Sequence, residues 1–220
     1  MILNKKTIFI VIISMLLSSF NAYEMEAAKR KAKSRRSLEN KRTEQLKILY
    51  EHFPLYKEWK ETEIYPYSDF EFLNNFDRTS VFEDYFLRKK LIENINDWLG
   101  VRYRYSGRSK RGIDCSNFTS VIIKETLGKV IPAGSATQAT LFKKIDDFEN
   151  LQFGDLVFFS GRNRKSKRIG HVGIYIGNGL FAHSSTGKGV IYTHISSGYY
   201  EQRYRFGGRI IKEDLELAVK

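Results

Sequence analysis

The chain has 220 residues, with 37 Lys and Arg against 25 Asp and Glu, a formal net charge of +12. One cysteine excludes an internal disulfide and every multi-cysteine zinc or iron–sulfur site, and four histidines argue against a histidine-rich metal centre. At 42% hydrophobic and 28% charged, the composition is that of a folded chain, long enough for one medium domain with an extension. The positive excess suits an acidic partner: nucleic acid, a membrane surface, or an anionic polymer outside the cell.

Residues 1–22 read as an export signal. Lys5 and Lys6 precede an uncharged stretch, Thr7 to Phe20, rich in Ile, Leu, Val and Phe. As a helix, those 14 residues would cover roughly 21 Å, short of a bilayer core of about 30 Å. A secretory signal is therefore expected over a spanning helix. Phe20 stands where cleavage after Ala22 would prefer a small residue, and eight Lys and Arg follow between Ala28 and Arg42. An uncleaved anchor is the alternative. With no cysteine nearby, anchorage through a lipidated cysteine is not expected, and the chain is expected to be exported.

Residues 28–49 lack Gly and Pro and are rich in Ala, Lys, Arg, Leu and Glu. This pattern predicts an exposed basic helix, solvated or adhering to an anionic envelope. Nine aromatics follow between Tyr50 and Phe76. They are expected to pack on the main domain, with carbohydrate stacking or cover of an active site as alternatives. Residues 23–80 thus form an N-terminal extension to a domain at 81–220.

Val81 to Leu99 carries apolar residues at three- and four-residue steps and predicts an amphipathic helix stopped by Gly100. Cys115 to Leu127 predicts a second, closed by Gly128. Strands are predicted at Asp155–Ser160, His171–Ile176, Leu180–Ser184, Val190–Ile195 and Phe206–Ile211, joined by short glycine-bearing turns into an antiparallel meander. Helices followed by strands describe an α+β domain.

Cys115 follows Asp114 at a predicted helix start. The unpaired N–H groups and positive dipole end there are expected to favour thiolate and to steady an oxyanion, with Asp114 capping the first turn. Alone, such a cysteine is as readily an inert packing residue. Two downstream histidines change the reading. His171 and His183 flank the Gly177-Asn178-Gly179 turn, so a hairpin puts them on neighbouring strands, a base with a third group to orient it. His52 and His194 lack such context.

Five blocks in order resemble the NlpC-type cysteine peptidases of the bacterial cell wall: Trp98–Gly107, Gly112–Phe118, Phe153–Phe159, Gly170–Gly177 and Phe181–Ser185. The resemblance covers roughly residues 91–211, and is strongest to murein endopeptidases that cut peptide cross-links. It implies a papain-like fold with a circularly rearranged core, the nucleophile helix packed on an antiparallel sheet, and no metal or organic cofactor. By position it implies Cys115 as nucleophile, His171 as general base and then acid, and His183 as orienting residue. Tyr103 would line the nucleophile and donate to the oxyanion. Asp114 and Ser116 fall where relatives bind a free amine, and Asp155 reads as structural. Peptidoglycan stem peptides would be the substrate, cleaved through a Cys115 thioester. Activity should fall in acid as a histidine base near its ordinary value of about 6.5 is protonated.

Three residues depart from the family pattern: Asn117 and Ser106 replace glycines, and Ala133 replaces an arginine. Gly161–Arg168, with five basic residues, is longer than its counterpart and is either solvated or in contact with anionic glycan or stem carboxylates. Two rival functions use the same scaffold: a non-catalytic module that binds cell-wall peptide, and an acyl-transferring cysteine enzyme. Nucleic acid is not expected, because the basic residues are spread and form no reading motif. No oligomeric state follows from the sequence.

Overall fold

The computed structural model describes residues 5–54, 56–57, 80 and 85–211. The aromatics from Trp59 to Phe76, and residues 81–84 of the expected amphipathic helix, lie outside them. The chain divides into two compact units, Met1–Lys41 and Arg42–Lys220. Helix α1, Lys5–His52, is 48 residues long and far exceeds the expected 28–49. Its side chains from Tyr23 to Lys41 are almost all exposed, as a basic helix with no apolar stripe requires. Among the described residues, no helix is long and apolar enough to cross a membrane.

In the second unit, α2 (Tyr85–Trp98) buries Leu91, Ile92, Ile95 and Trp98, one stripe of a helix with a 3.6-residue period. α3 (Cys115–Leu127) is defined at both ends. Asp114 caps it by accepting from the Asn117 amide at 2.8 Å, and Gly128, at φ 74°, turns the chain away in the left-handed conformation open to glycine. A short hairpin, β1 (Arg108–Ser109) with β2 (Gly112–Ile113), precedes α3, and a single turn, α4 (Ser135–Gln138), follows it.

The sheet contains β3 (Lys143–Ile145), β4 (Leu156–Ser160), β5 (Ile169–Gly177), β6 (Leu180–Ser185), β7 (Gly189–His194) and β8 (Tyr204–Arg209), in the order β3-β8-β4-β5-β6-β7. The expected meander holds for β4 through β7. The last strand departs from it: after the short helix α5 (Gly198–Glu201), β8 returns to pair with β4, and β3, which the sequence reading did not anticipate, pairs outside β8. Residues alternate between two apolar clusters. Leu156, Phe158, Val172, Ile174, Ala182 and Tyr192 join the core of α2 and α3, while Val157, Phe159, Tyr175 and Phe181 form a smaller cluster on the other face. β4 is covered on both faces, which is why it reads as an uninterrupted Leu-Val-Phe-Phe.

The open edge of β7 is occupied. Val190 exchanges backbone hydrogen bonds with Gly100 and Val101, and the Tyr192 amide donates to Gln45 Oε1 of α1 at 2.8 Å. Leu49 and Tyr56 are buried in the main core, with Tyr50 and Phe53 packed against it. Of the nine aromatics between Tyr50 and Phe76, the three described, Tyr50, Phe53 and Tyr56, therefore pack in this core.

Asp155 has the structural role expected of it. It is 1% exposed and accepts both prongs of the Arg209 guanidinium, at 3.1 and 2.9 Å, together with the Gln152 amide at 2.8 Å. Arg209 also donates to the Asn150 carbonyl at 2.6 Å, so the fork ties the start of β4 to the end of β8. Removing one charge would strand the other without water. Asp155→Ala is expected to lower unfolding free energy by about 3–5 kcal/mol, read as a reduced urea midpoint in the full chain.

Candidate active site

Cys115 opens α3 and is 8% exposed. Its sulfur meets the backbone N–H groups of Val172, Ser116 and Cys115 itself, and all three favour the thiolate. Burial outweighs them: the thiol is pushed up to about 11, with Asp114 adding to the rise. This corrects the expectation of a thiolate held by the helix N-terminus. The dipole and amides are present, but a nearly dry sulfur gains less from them than it loses in hydration.

The first turn of α3 is held by its own polar residues. Asp114 Oδ1 accepts from Ser116 Oγ at 3.0 Å and the Asn117 amide, and Oδ2 accepts from Asn117 Nδ2 at 2.7 Å. Asn117, one of the departures from the family pattern, thus completes the cap. Asp114 and Ser116 do line the cleft, but their polar atoms are directed to each other and to Asn117. Behind the turn, fully buried Gln138 donates to the Ser116 and Pro132 carbonyls at 2.9 Å and accepts from Thr119 Oγ1 at 2.8 Å. The sequence reading missed Gln138; a lone glutamine in a Ser-Ala-Thr-Gln stretch carries no spacing signal.

The histidines are positioned by register. In the β5–β6 ladder Ile174 faces Ala182, so Gly173 lies opposite His183 and His171 sits diagonal to it on the same face. A Cβ on Gly173 would come within 2.6 Å of Phe181 and 3.1 Å of His183 Cβ. Glycine there leaves the room through which His183 Nδ1 reaches His171 Nε2, at 3.0 Å. The β6–β7 register sets Thr193 diagonal to His183 in turn, and His183 Nε2 lies 3.0 Å from Thr193 Oγ1. Tyr200 of α5 and Phe181 enclose the His183 ring, with centroids 4.9 and 4.7 Å away. Thr193 and Tyr200 were not anticipated, because each reaches the site only through tertiary pairing.

Burial lowers His171 to about 4 and takes His183 well below its ordinary value, the latter also because His171 is its neighbour. Both rings are therefore neutral near pH 7. Of the two ways to share protons along this chain, one has His171 Nε2–H donating to His183 Nδ1 and His183 Nε2–H donating to Thr193. That tautomer leaves His171 Nδ1 with a lone pair. The His171 ring makes its hydrogen bond to His183 and not to the thiol; the two are brought together by the Val172 amide, next in sequence to the histidine, on the Cys115 sulfur.

Tyr103 lies beside Cys115 and Asp114, and its hydroxyl is pushed up to about 12, mainly by burial and then by Cys115. It remains a proton donor. Cys115, Tyr103, Asp114 and Ser116 line a cleft of about 570 Å³. Ser106, at φ 55°, and Ala133 also line it, as do Arg162 and Arg168 of the long basic loop. His52 and His194 lie near each other, with ring centroids 5.7 Å apart and the planes tilted by 40°, and neither lines the cleft. Among the described residues, no group of three His, Cys, Asp or Glu could hold a metal ion.

The NlpC/P60 family matches residues 100–209. A probable endopeptidase NlpC homolog of Haemophilus influenzae is 42% identical over 123 residues, covering 56% of this chain and 63% of that protein. A protein of Escherichia coli named murein DD-endopeptidase MepS/murein LD-carboxypeptidase is 38% identical over 125 residues, covering 57% of this chain and 64% of its own. The crystal structure of an NlpC/P60 family protein from Bacillus cereus aligns with a TM-score of 0.52 at 34% identity, over 56% of this chain and 40% of that one. The chain therefore spans less than two thirds of the length of these relatives. The family match takes in Tyr103, Cys115, His171, His183, Thr193 and Tyr200 together, and this chain belongs to the NlpC/P60 family.

Proposed function

We propose that the chain is an exported peptidoglycan hydrolase that cleaves peptide bonds in muropeptide stems or cross-links through a Cys115 thioester. The observation that carries this reading is the relay from Thr193 through His183 to His171, ending beside a buried thiol on the N-terminus of α3. A module that only bound peptide would have no use for three aligned polar side chains around a fully buried histidine, which is costly to desolvate. Export rests on Lys5, Lys6 and the apolar stretch after them.

In the resting state both partners are neutral, so attack and proton transfer are coupled. As Cys115 Sγ bonds to the peptide carbonyl carbon, its proton passes to His171 Nδ1. The carbonyl oxygen takes the negative charge, met by the Tyr103 hydroxyl and the amides of the α3 terminus. The C–N bond then breaks, and His171 returns the proton to the leaving amine. Water, deprotonated by His171, hydrolyses the thioester and frees Cys115.

Digestion of purified sacculi, with products identified by chromatography and mass, tests the assignment. Cys115→Ala is expected to release no muropeptides while unfolding at the wild-type temperature; full activity in this variant would sink the proposal. Tyr103→Phe should lower kcat by roughly 10²-fold, the usual effect of losing one oxyanion donor. The pH profile follows from His171. Its folded value, about 4, lies below the free value, so the base stays available through mildly acidic solution and is lost only as pH falls through about 4. kcat/KM should keep its neutral value at pH 5.5 and fall tenfold per unit well below 4. A limb centred near 6.5 would show that burial does not lower His171 in the working enzyme, and the absence of any acid limb down to about pH 3 in folded protein would show that His171 is not the base.

A further inference from the structure

A second cavity, of about 600 Å³, adjoins the Cys115 cleft and shares Gly161, Arg162 and Gly170 with it. His171 lines this cavity, whereas Cys115 and Tyr103 line the first. The reaction order fixes what each must hold. The acyl half of the substrate becomes bonded to Cys115 and stays on its side. The leaving amine takes its proton from His171 and departs on the histidine side. We propose that this second cavity is the subsite for the amine-side residue of the substrate, and that it selects a residue bearing a free carboxylate. The proposal rests on the hydrolase reading above and names the chemistry of one half of its substrate.

The lining carries the argument. Ser160 is 1% exposed, and its hydroxyl has no hydrogen-bond partner among the described residues. Arg203 Nε is also buried and unpartnered, although the same guanidinium donates to the Tyr199 carbonyl at 3.0 Å and lies 3.8 Å above the Tyr199 ring. Buried donors are nearly always satisfied, so two unsatisfied ones lining a single cavity mark a place built for an acceptor from outside the chain. The Ser160 amide donates to the Arg203 carbonyl at 2.8 Å, which keeps both residues at the same end of the sheet. Arg162 adds a second cation, and no acidic residue lines the cavity. A planar carboxylate fits a guanidinium and a hydroxyl; a carboxamide would bring two donors of its own against them. The volume suits a small ligand or a residue or two of peptide.

The test uses the full chain and two synthetic peptides, L-Ala-D-γ-Glu-L-Lys and the same peptide ending in a carboxamide. They share the acyl side and differ only in the charge of the amine-side residue. Wild type is expected to cleave the carboxylate form with kcat/KM at least tenfold higher. In Arg203→Gln that ratio should collapse towards one, in Arg203→Lys it should recover in part, and Ser160→Ala should reduce it. Because the readout is a ratio, a general loss of folded protein does not move it. Equal wild-type rates, or an unchanged ratio in Arg203→Gln, would overturn the inference. Calorimetric binding of both peptides to Cys115→Ala separates the two claims. Tighter binding of the carboxylate form with no cleavage by wild type, and no muropeptides released from sacculi, means that the hydrolase reading has failed and the cavity assignment stands. Equal binding, or binding of neither, overturns the cavity assignment whatever the cleavage result.

Discussion

The register of β5 against β6 is the constraint on which the site depends. Ile174 opposite Ala182 sets Gly173 opposite His183, and so places His171 on the same sheet face within one hydrogen bond of it. A slip of one residue would send His183 to the other face, into the apolar core that Ala182 now occupies. The turn at Gly177-Asn178-Gly179, with all three residues at positive φ, fixes that register locally. The β6–β7 register then carries it to Thr193. One hairpin and its neighbour thus produce three aligned groups from strands that otherwise read as ordinary apolar sheet.

Burial decides the chemistry of the pair. Helix N-termini and amides favour a thiolate, and a carboxylate beside the base would favour an imidazolium; here the amides are present and the group beside His171 is a second, neutral histidine. With the thiol near 11 and the imidazole near 4, proton transfer from one to the other is uphill at rest. In the proposed mechanism the barrier is relieved when charge develops on a substrate oxygen that Tyr103 can meet. An unengaged neutral thiol is a poor nucleophile and a poor target for oxidation, which suits a lone cysteine in a chain we propose to be exported.

Much of this was legible in the sequence because the signals were local. Asp114 and Gly128 bracket α3, the glycines delimit β4 to β7, and the His-turn-His spacing announces a hairpin. What escaped depended on distant partners. β3 is only Lys143–Ile145, two exposed lysines and a buried isoleucine, and it becomes a strand by pairing with β8 more than sixty residues later. Gln138, Thr193 and Tyr200 are common residue types whose roles come from what they touch. Asn117 shows the opposite case: its departure from the family pattern was visible, but its effect, closing the Asp114 cap, required coordinates.

The excess of positive charge can be divided by use. Arg209 is committed to Asp155, Arg205 donates to the Arg164 and Ser166 carbonyls, and Arg164 donates to Gln202. These cations hold the sheet end and pin the long basic loop. Arg162 and Arg168 line the Cys115 cleft from that same loop, and Arg162 also lines the cavity behind His171. A loop fixed by two arginines therefore presents others to the substrate path, at little entropic cost when an anion arrives. The cleft's one acidic residue, Asp114, is held by the donors of its own helix, and its charge bears on Cys115 and Tyr103. The cleft is therefore divided, with Arg162 and Arg168 at the loop and Asp114 beside the thiol, so on the proposed reading a free carboxylate is favoured towards the loop and not beside Cys115.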